Sequence, residues 1–148
     1  KSSNWPLWRL ILGVSAAFLF SLLVNVLIDV VGITAKFTTY TESVGISFVG
    51  QPPILLIIVI VILGPIAEEM IFRWMIFGRI RYYAGSKWAV LFSSMLFGLY
   101  HMNLVQFIFC TLLGAVLAHL YDKSGNIWVP IAAHMAVNLY GIIGLLAI

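Results

Sequence analysis

Long apolar runs are the feature that most constrains how this chain can fold. A helix that crosses a bilayer needs about 20 mostly apolar residues. Candidate runs cover Leu7–Val31, Pro53–Ile80, Trp88–His101, Leu104–Tyr121 and Ile127–Ile148. A more polar stretch from Gly32 to Gln51 separates the first two runs. It is interpreted as either a short interfacial helix or a re-entrant segment. The sequence therefore predicts an all-α, polytopic transmembrane bundle with about five spanning helices.

The composition excludes a soluble domain. Of the 148 residues, 63% are hydrophobic and only 9% are charged, whereas soluble domains carry about 25% charged residues. No basic run interleaved with aromatic residues is present, so we expect no nucleic-acid partner. The single cysteine, Cys110, lies in an apolar run and is interpreted as an inert core thiol.

Basic residues indicate how the chain is oriented in the membrane. They flank the start of the first run, fill the link between the second and third, and follow the fourth: Lys1 and Arg9; Arg79, Arg81 and Lys87; Lys123. The alternate links carry only Lys36 as a basic residue. By the positive-inside rule, this pattern predicts that the amino terminus lies inside and the carboxyl terminus outside. The short, compact chain favours an integral protein of a bacterial cytoplasmic membrane.

Charged residues within the second run form a first polar cluster. Charges at bilayer depth cost about 2.5–3.5 kcal/mol each on insertion scales, so they are usually functional. Glu69 and Arg73 are four residues apart on one helix and are expected to pair, which leaves Glu68 as a general base or acid. The preceding Gly64-Pro65 pair is expected to kink or locally open the helix.

Two further polar clusters lie on other helices. Phe97-Gly98-Leu99-Tyr100-His101 ends the third run, and His134 shares a helix face with Asn138 in the fifth. At about 1.5 Å per helical residue, Glu68 lies about 16 Å, His101 about 21 Å and His134 about 16 Å from the nearest basic link. Three helices thus place polar groups in one layer of the hydrocarbon core.

Other polar residues have plainer interpretations. His119 is interpreted as a structural histidine, and Asn25 and Gln106 as groups that hydrogen-bond between helices. No His-Glu-x-x-His sequence is present, so the usual zinc-protease helix is absent. Ser93 and Ser94 lack a surrounding Gly-x-Ser-x-Gly, which argues against a serine nucleophile.

The three clusters together resemble the signature of the CPBP family. The matching patterns are Glu68-Glu69-x-x-x-Arg73, Phe97-x-x-x-His101 and His134-x-x-x-Asn138. This family covers CAAX-prenyl proteases, bacteriocin-processing proteins and Abi proteins. The resemblance implies a catalytic core in residues 52–148, after a first transmembrane helix and polar connecting segment in residues 1–51.

The resemblance also implies an intramembrane endopeptidase and a set of site residues. Glu68 and His101 would activate water, and His134 and Asn138 would stabilise the oxyanion. Glu69 belongs to the same catalytic set. Arg73 and Phe97 are expected to position these catalytic residues. The family is often labelled a metalloprotease, and Glu68, His101 and His134 could bind zinc with one position left for water. A metal-free Glu/His mechanism is the alternative.

The expected partners are membrane lipids and a peptide or membrane-protein substrate. Peptide maturation and self-immunity against a bacteriocin are both consistent with the resemblance. A rival interpretation is a non-catalytic scaffold that regulates a partner membrane protein, in which Glu68 would tolerate substitution. A second rival is an ion or proton conductor, but polar groups confined to one layer argue against a continuous pathway.

Overall fold

The computed structural model describes residues 5–37 and 50–146, and its secondary structure there is helical throughout. The helices are α1 (Leu7–Val30), α2 (Ile33–Lys36), α3 (Pro53–Ala84), α4 (Ser86–Tyr100), α5 (Leu104–Ser124) and α6 (Trp128–Leu146). The predicted all-α membrane bundle is confirmed. Of the polar segment Gly32–Gln51, the short α2 is described, and residues 38–49 lie outside the described part.

The long helices differ in how far they can cross a membrane. Among the described residues, α1, α3 and α5 are long and apolar enough to span, and α6 has a shorter apolar stretch from Trp128 to Gly144. Helix α4 has 15 residues, or about 22 Å at 1.5 Å per residue, against a hydrocarbon core of about 30 Å. It therefore covers part of the bilayer and ends where His101 enters the turn to α5.

The polar ends of four helices meet at one end of the bundle. Trp5, just before α1, donates its indole N–H to the Lys123 carbonyl at 3.1 Å. Arg81 in α3 pairs with Asp122 in α5 at 2.9 Å, and the Ser86 hydroxyl of α4 donates to the same carboxylate at 3.1 Å. The basic links therefore share one end of the bundle, the arrangement that the charge pattern predicts.

Helix α5 lies at the centre of the packing. Its Leu113 and Leu117 belong to a buried cluster with Ala17 of α1 and with α6 residues that include Ala133. On another side, α5 packs so tightly against α4 that a β-carbon on Gly98 would clash with the Thr111 hydroxyl. The close α4–α5 approach fixes the end of α4, where His101 lies.

Helix α3 changes its backbone hydrogen bonding around the predicted break. It runs continuously through Gly64-Pro65, and it has π-helical segments at Ile57–Leu63 and Met70–Phe77. The Gly64 N–H donates to the Val59 carbonyl, five residues back, and Pro65 has no N–H. The predicted local opening thus takes the form of widened π turns within one helix. These wider turns accommodate Pro65, a residue that has no N–H to donate.

A glycine substitution tests the α4–α5 contact. In Gly98→Ala, the new β-carbon would lie 2.7 Å from the Phe107 backbone carbonyl, and overpacking of this kind costs about 1–3 kcal/mol. We expect a lower Tm in detergent micelles. The control is Gly78→Ala in α3, where a β-carbon meets no atom within 4 Å and alanine favours the helix. Equal Tm values for the two variants would contradict the described packing.

Candidate active site

A cavity of about 600 Å³ lies between α1, α3, α4, α5 and α6. Its lining includes one or two residues from each predicted motif: Glu68, His101, His134 and Asn138. Most other lining residues are apolar, among them Val59, Phe109, Leu113 and Val137. The polar side chains that helical spacing predicted in one layer thus line one largely apolar cavity.

A fully buried ion pair lies behind this cavity. Glu69 Oε2 is 3.0 Å from Arg73 Nε, and both side chains have no exposed surface. Arg73 also donates from Nη2 to the Gly114 carbonyl at 3.2 Å, and its guanidinium lies 4.5 Å from the centre of the Phe97 ring. The pair predicted from the sequence therefore forms, and the backbone contact and the ring face compensate part of the desolvation cost of the arginine.

Glu69 connects this ion pair to His134. Its Oε1 is 3.0 Å from His134 Nδ1, and a carboxylate paired with arginine can only accept a hydrogen bond. Nδ1 therefore carries a proton, and Nε2 is the nitrogen left for chemistry. Glu69 does not line the cavity. The structure thus gives Glu69 a positioning contact with the ring rather than access to a substrate.

Glu68 faces the other nitrogen of the same histidine. Its Oε2 is 3.6 Å from His134 Nε2, and its side chain is 21% exposed while that of His134 is 4% exposed. The adjacent carboxylates therefore have different surroundings because successive residues point about 100° apart around a helix. One is enclosed with an arginine, and the other opens into the cavity.

Phe97 organises the two histidines. It is fully buried, and its ring packs edge-on against His101 at 5.1 Å and against His134 at 5.6 Å between centroids. His101 Nδ1 lies 2.9 Å from the Phe97 carbonyl, which can only accept, so this nitrogen carries a proton and Nε2 is free. Phe97 thus has the contacts expected of a positioning residue.

Asn138 makes a specific contact with the backbone of α3. Its Nδ2 donates to the Ile60 carbonyl at 2.9 Å. In the π-helical register this carbonyl would accept from residue 65, which is a proline without an N–H. Asn138 therefore satisfies a carbonyl that the Gly64-Pro65 sequence leaves unpaired, and its second amide N–H has no partner among the described residues, which makes it available to a ligand.

The turn between α4 and α5 contains a residue that the motif analysis missed. Asn103 caps α5 by accepting from the Gln106 N–H at 2.8 Å, and its Nδ2 donates to the His101 carbonyl at 3.3 Å. Met102 between them has a positive φ of 58°. An asparagine directly before an apolar run is an N-cap signal, and this signal could have identified Asn103 as the cap of α5.

Three of the plainer interpretations can be compared with the structure. His119 does not line the cavity. Asn25 and Gln106 do line it, and neither makes the interhelical bond that the sequence predicted. Gln106 bonds to Asn103 within its own first turn, and Asn25 makes no hydrogen bond with a described residue. The prediction was wrong for both because a cavity, not a neighbouring helix, faces them.

The candidate zinc ligands share the cavity without forming a metal-ligand cluster. Within residues 5–37 and 50–146, no three His, Cys, Asp or Glu side chains are grouped closely enough to hold a metal ion. Each histidine bonds through Nδ1, in His134 to Glu69 and in His101 to the Phe97 carbonyl, which leaves Nε2 free as in metal-ligating histidines. The spacing of these side chains, rather than their hydrogen bonding, does not fit a three-ligand site, and zinc binding stays a prediction.

Comparisons with known proteins identify relatives. A family model described as "Type II CAAX prenyl endopeptidase Rce1-like" matches residues 50–140. "Putative membrane peptidase YdiL" of Bacillus subtilis (strain 168) is 43% identical over 89 residues, which cover 60% of this chain and 36% of that protein. "UPF0177 protein YxdF" of Lactococcus lactis is 34% identical over 142 residues, which cover 93% of this chain and 78% of that protein. No solved structure matches significantly.

Glu69→Gln tests the buried ion pair. Breaking a buried pair leaves Arg73 uncompensated and costs about 3–5 kcal/mol, so we expect a large fall in the free energy of unfolding, measured by denaturant titration in micelles. Glu68→Gln, at the adjacent carboxylate, should cost little because this group opens into the cavity. The double variant Glu69→Gln/Arg73→Met should recover much of the loss. Equal effects of the two single variants would contradict this assignment.

Proposed function

The chain belongs to the Rce1-like family of type II CAAX prenyl endopeptidases, and we propose that it is an intramembrane endopeptidase that activates water at Glu68. The match with YdiL covers about a third of that protein's length, so the activity of the whole protein is part of the proposal. The observation that carries it is the facing pair of Glu68 and His134 within a partly open, largely apolar cavity.

The spacing of this pair supports a role for water. Glu68 Oε2 and His134 Nε2 are 3.6 Å apart, which is too long for a direct hydrogen bond and leaves both atoms free to contact one water that lies beside them in the cavity. Such a water lies within reach of a carboxylate that can accept its proton. In the proposed first step, the water oxygen bonds to the peptide carbonyl carbon while its proton passes to Glu68.

His134 is well placed to stabilise the negative charge that this attack creates. In the proposed active form, His134 has taken a second proton from solvent, on Nε2, before the substrate binds. Glu69 stabilises this imidazolium at Nδ1, as the aspartate does in serine-protease triads, and Nε2–H donates to the oxyanion and keeps its proton throughout the cycle. The Glu69–Arg73 pair is neutral overall, so the charged His134 ring lies beside a fixed dipole and not beside a second net charge. The free N–H of Asn138 is the second proposed donor to the oxyanion.

The second half of the reaction returns the proton. As the tetrahedral intermediate collapses, the C–N bond breaks and the leaving nitrogen takes the proton that Glu68 received from water. His101 Nε2, the free nitrogen of that ring, is proposed to help activate the water or to bind the leaving group. Each group therefore acts at an atom that its structural contacts leave available.

The proposed substrate is a peptide or a membrane-protein segment. Apolar walls such as Val59, Phe109 and Val137 favour apolar side chains over charged ones. Maturation of a peptide, or self-immunity against a bacteriocin, is the proposed biological setting, and it rests on the family alone. The competing proposal is a membrane scaffold that regulates a partner protein and does not use Glu68 chemically.

Replacement of Glu68 separates these two proposals. Glu68→Gln keeps the shape of the side chain but removes the base, so we expect cleavage of an internally quenched peptide library to fall by at least about a hundredfold. The protein would be assayed in nanodiscs, with folding checked by Tm. The control Asp29→Asn neutralises an exposed carboxylate outside the cavity and should leave the rate unchanged. Full activity of Glu68→Gln would support the scaffold.

Metal analysis tests the zinc prediction separately. Because the candidate ligands are not grouped as a metal site, we expect far less than stoichiometric zinc in purified protein. We also expect an unchanged cleavage rate after treatment with 1,10-phenanthroline. Stoichiometric zinc that is lost in both His101→Ala and His134→Ala would contradict this expectation and establish a three-ligand site with Glu68.

A further inference from the structure

Helix α1 contributes to the cavity although it lies outside the residues that the family model matches. That match begins at residue 50, yet Ser21 and Asn25 are both among the lining residues. Neither belongs to the three motifs on which the proposed chemistry depends. The cavity wall on the α1 side is therefore a part of the site to which the proposed chemistry gives no role.

Asn25 is the α1 side chain that is free to bind a ligand. Ala17, Ser21, Val24 and Ile28 form the buried stripe of α1, and Asn25 follows Ser21 by one helical turn. It is nevertheless exposed, and it is one of the residues that line the cavity. The Ser21 hydroxyl is already used, since it donates to the Phe18 carbonyl at 2.7 Å. Asn25 has no hydrogen-bond partner among the described residues.

Packing on two sides fixes the position of Asn25. Ala17 of α1 is fully buried in the cluster with Leu113 and Leu117 of α5. Phe18 of α1 packs edge-on against Tyr140 of α6 at 5.5 Å, and Tyr140 itself lines the cavity. Because α1 is held against both α5 and α6, the Asn25 amide has a defined location on the wall.

An unpaired amide within a transmembrane helix has a cost. Polar groups without a hydrogen-bond partner are unfavourable in an apolar environment, and Val26 and Leu27, the next two residues, show the apolar character of this helix. A leucine at position 25 would suit the membrane better. The amide is therefore interpretable as a binding group whose partner arrives with the ligand.

The chemistry of the amide identifies the partner. Its oxygen accepts and its nitrogen donates, which complements the N–H and C=O groups of an extended peptide. We propose that Asn25 binds the backbone of the substrate, with Oδ1 accepting from one peptide N–H, and so holds the chain along the α1 wall beside Glu68. This inference rests on the proposed function and adds α1 to the substrate-binding unit.

Backbone recognition would allow the proposed site to bind peptides of differing sequence. The apolar lining, which includes Ile60, Leu113 and Ile142, can accept many apolar side chains but cannot fix where along the chain water attacks. A hydrogen bond to the main chain fixes the peptide relative to Glu68 whatever its side chains are. Asn25 is thus a substrate-positioning residue that affects binding more than the chemical step.

The test measures binding in protein that cannot cleave. The background is Glu68→Gln in nanodiscs, and the probes, each with a single fluorophore and no quencher, are an apolar decapeptide that the wild type cuts and its singly N-methylated analogues. Binding is followed by fluorescence anisotropy. Asn25→Leu should raise Kd for the parent peptide about tenfold, the loss expected for a well-formed hydrogen bond. To the protein that retains Asn25, one N-methylated analogue should bind about tenfold more weakly than the parent peptide does. The same analogue should bind equally well to this protein and to the Asn25→Leu variant.

The control and the contrary outcomes are distinct. Ser15→Leu makes a similar polar-to-apolar change on an exposed α1 residue outside the cavity, and it should leave Kd unchanged. If the wild type cleaves peptides but Asn25→Leu leaves both Kd and the N-methyl pattern unchanged, this inference fails and the proposed function stands. If the wild type cleaves no member of the library, the proposed function fails and the inference fails with it.

Discussion

The cost of placing charge inside a membrane organises this protein. Glu69 and Arg73 are both fully buried, and neither could remain charged there without the other. Their further contacts come from the surrounding helices: the Gly114 carbonyl of α5, the Phe97 ring of α4 and the His134 ring of α6. A single ion pair on α3 therefore holds three neighbouring helices in register. The same contacts orient the imidazole that faces Glu68.

The backbone of α3 is the second determinant of the site. Its π turns and Pro65 leave the Ile60 carbonyl without a partner in the helix, and Asn138 supplies one from α6. Together with the Glu69–His134 contact, this bond connects two successive turns of α6 to α3. Asn103 has a comparable role at the end of α4, where it bonds to the His101 carbonyl and begins α5. Polar contacts at helix ends and irregular turns thus define the cavity wall.

Much of this arrangement could be predicted from the sequence. Apolar runs located the long helices, and the i, i+4 spacing identified the Glu69–Arg73 pair. Spacing from the basic links brought Glu68, His101 and His134 to one layer. The contact of Glu69 with His134, the role of Asn138 and the exposure of Asn25 could not be predicted. They depend on the rotation of each helix about its axis and on the change from α to π turns, which are set by packing between helices.

In the proposed mechanism, water attacks the peptide directly at Glu68, without a covalent intermediate. The most direct measurement is a single turnover in ¹⁸O-labelled water, in the presence and absence of hydroxylamine. If water attacks directly, the new carboxylate carries one labelled oxygen and hydroxylamine traps no hydroxamate. A hydroxamate product, or an unlabelled carboxylate from the first turnover, would show that an enzyme side chain attacks the peptide and would contradict direct attack by water.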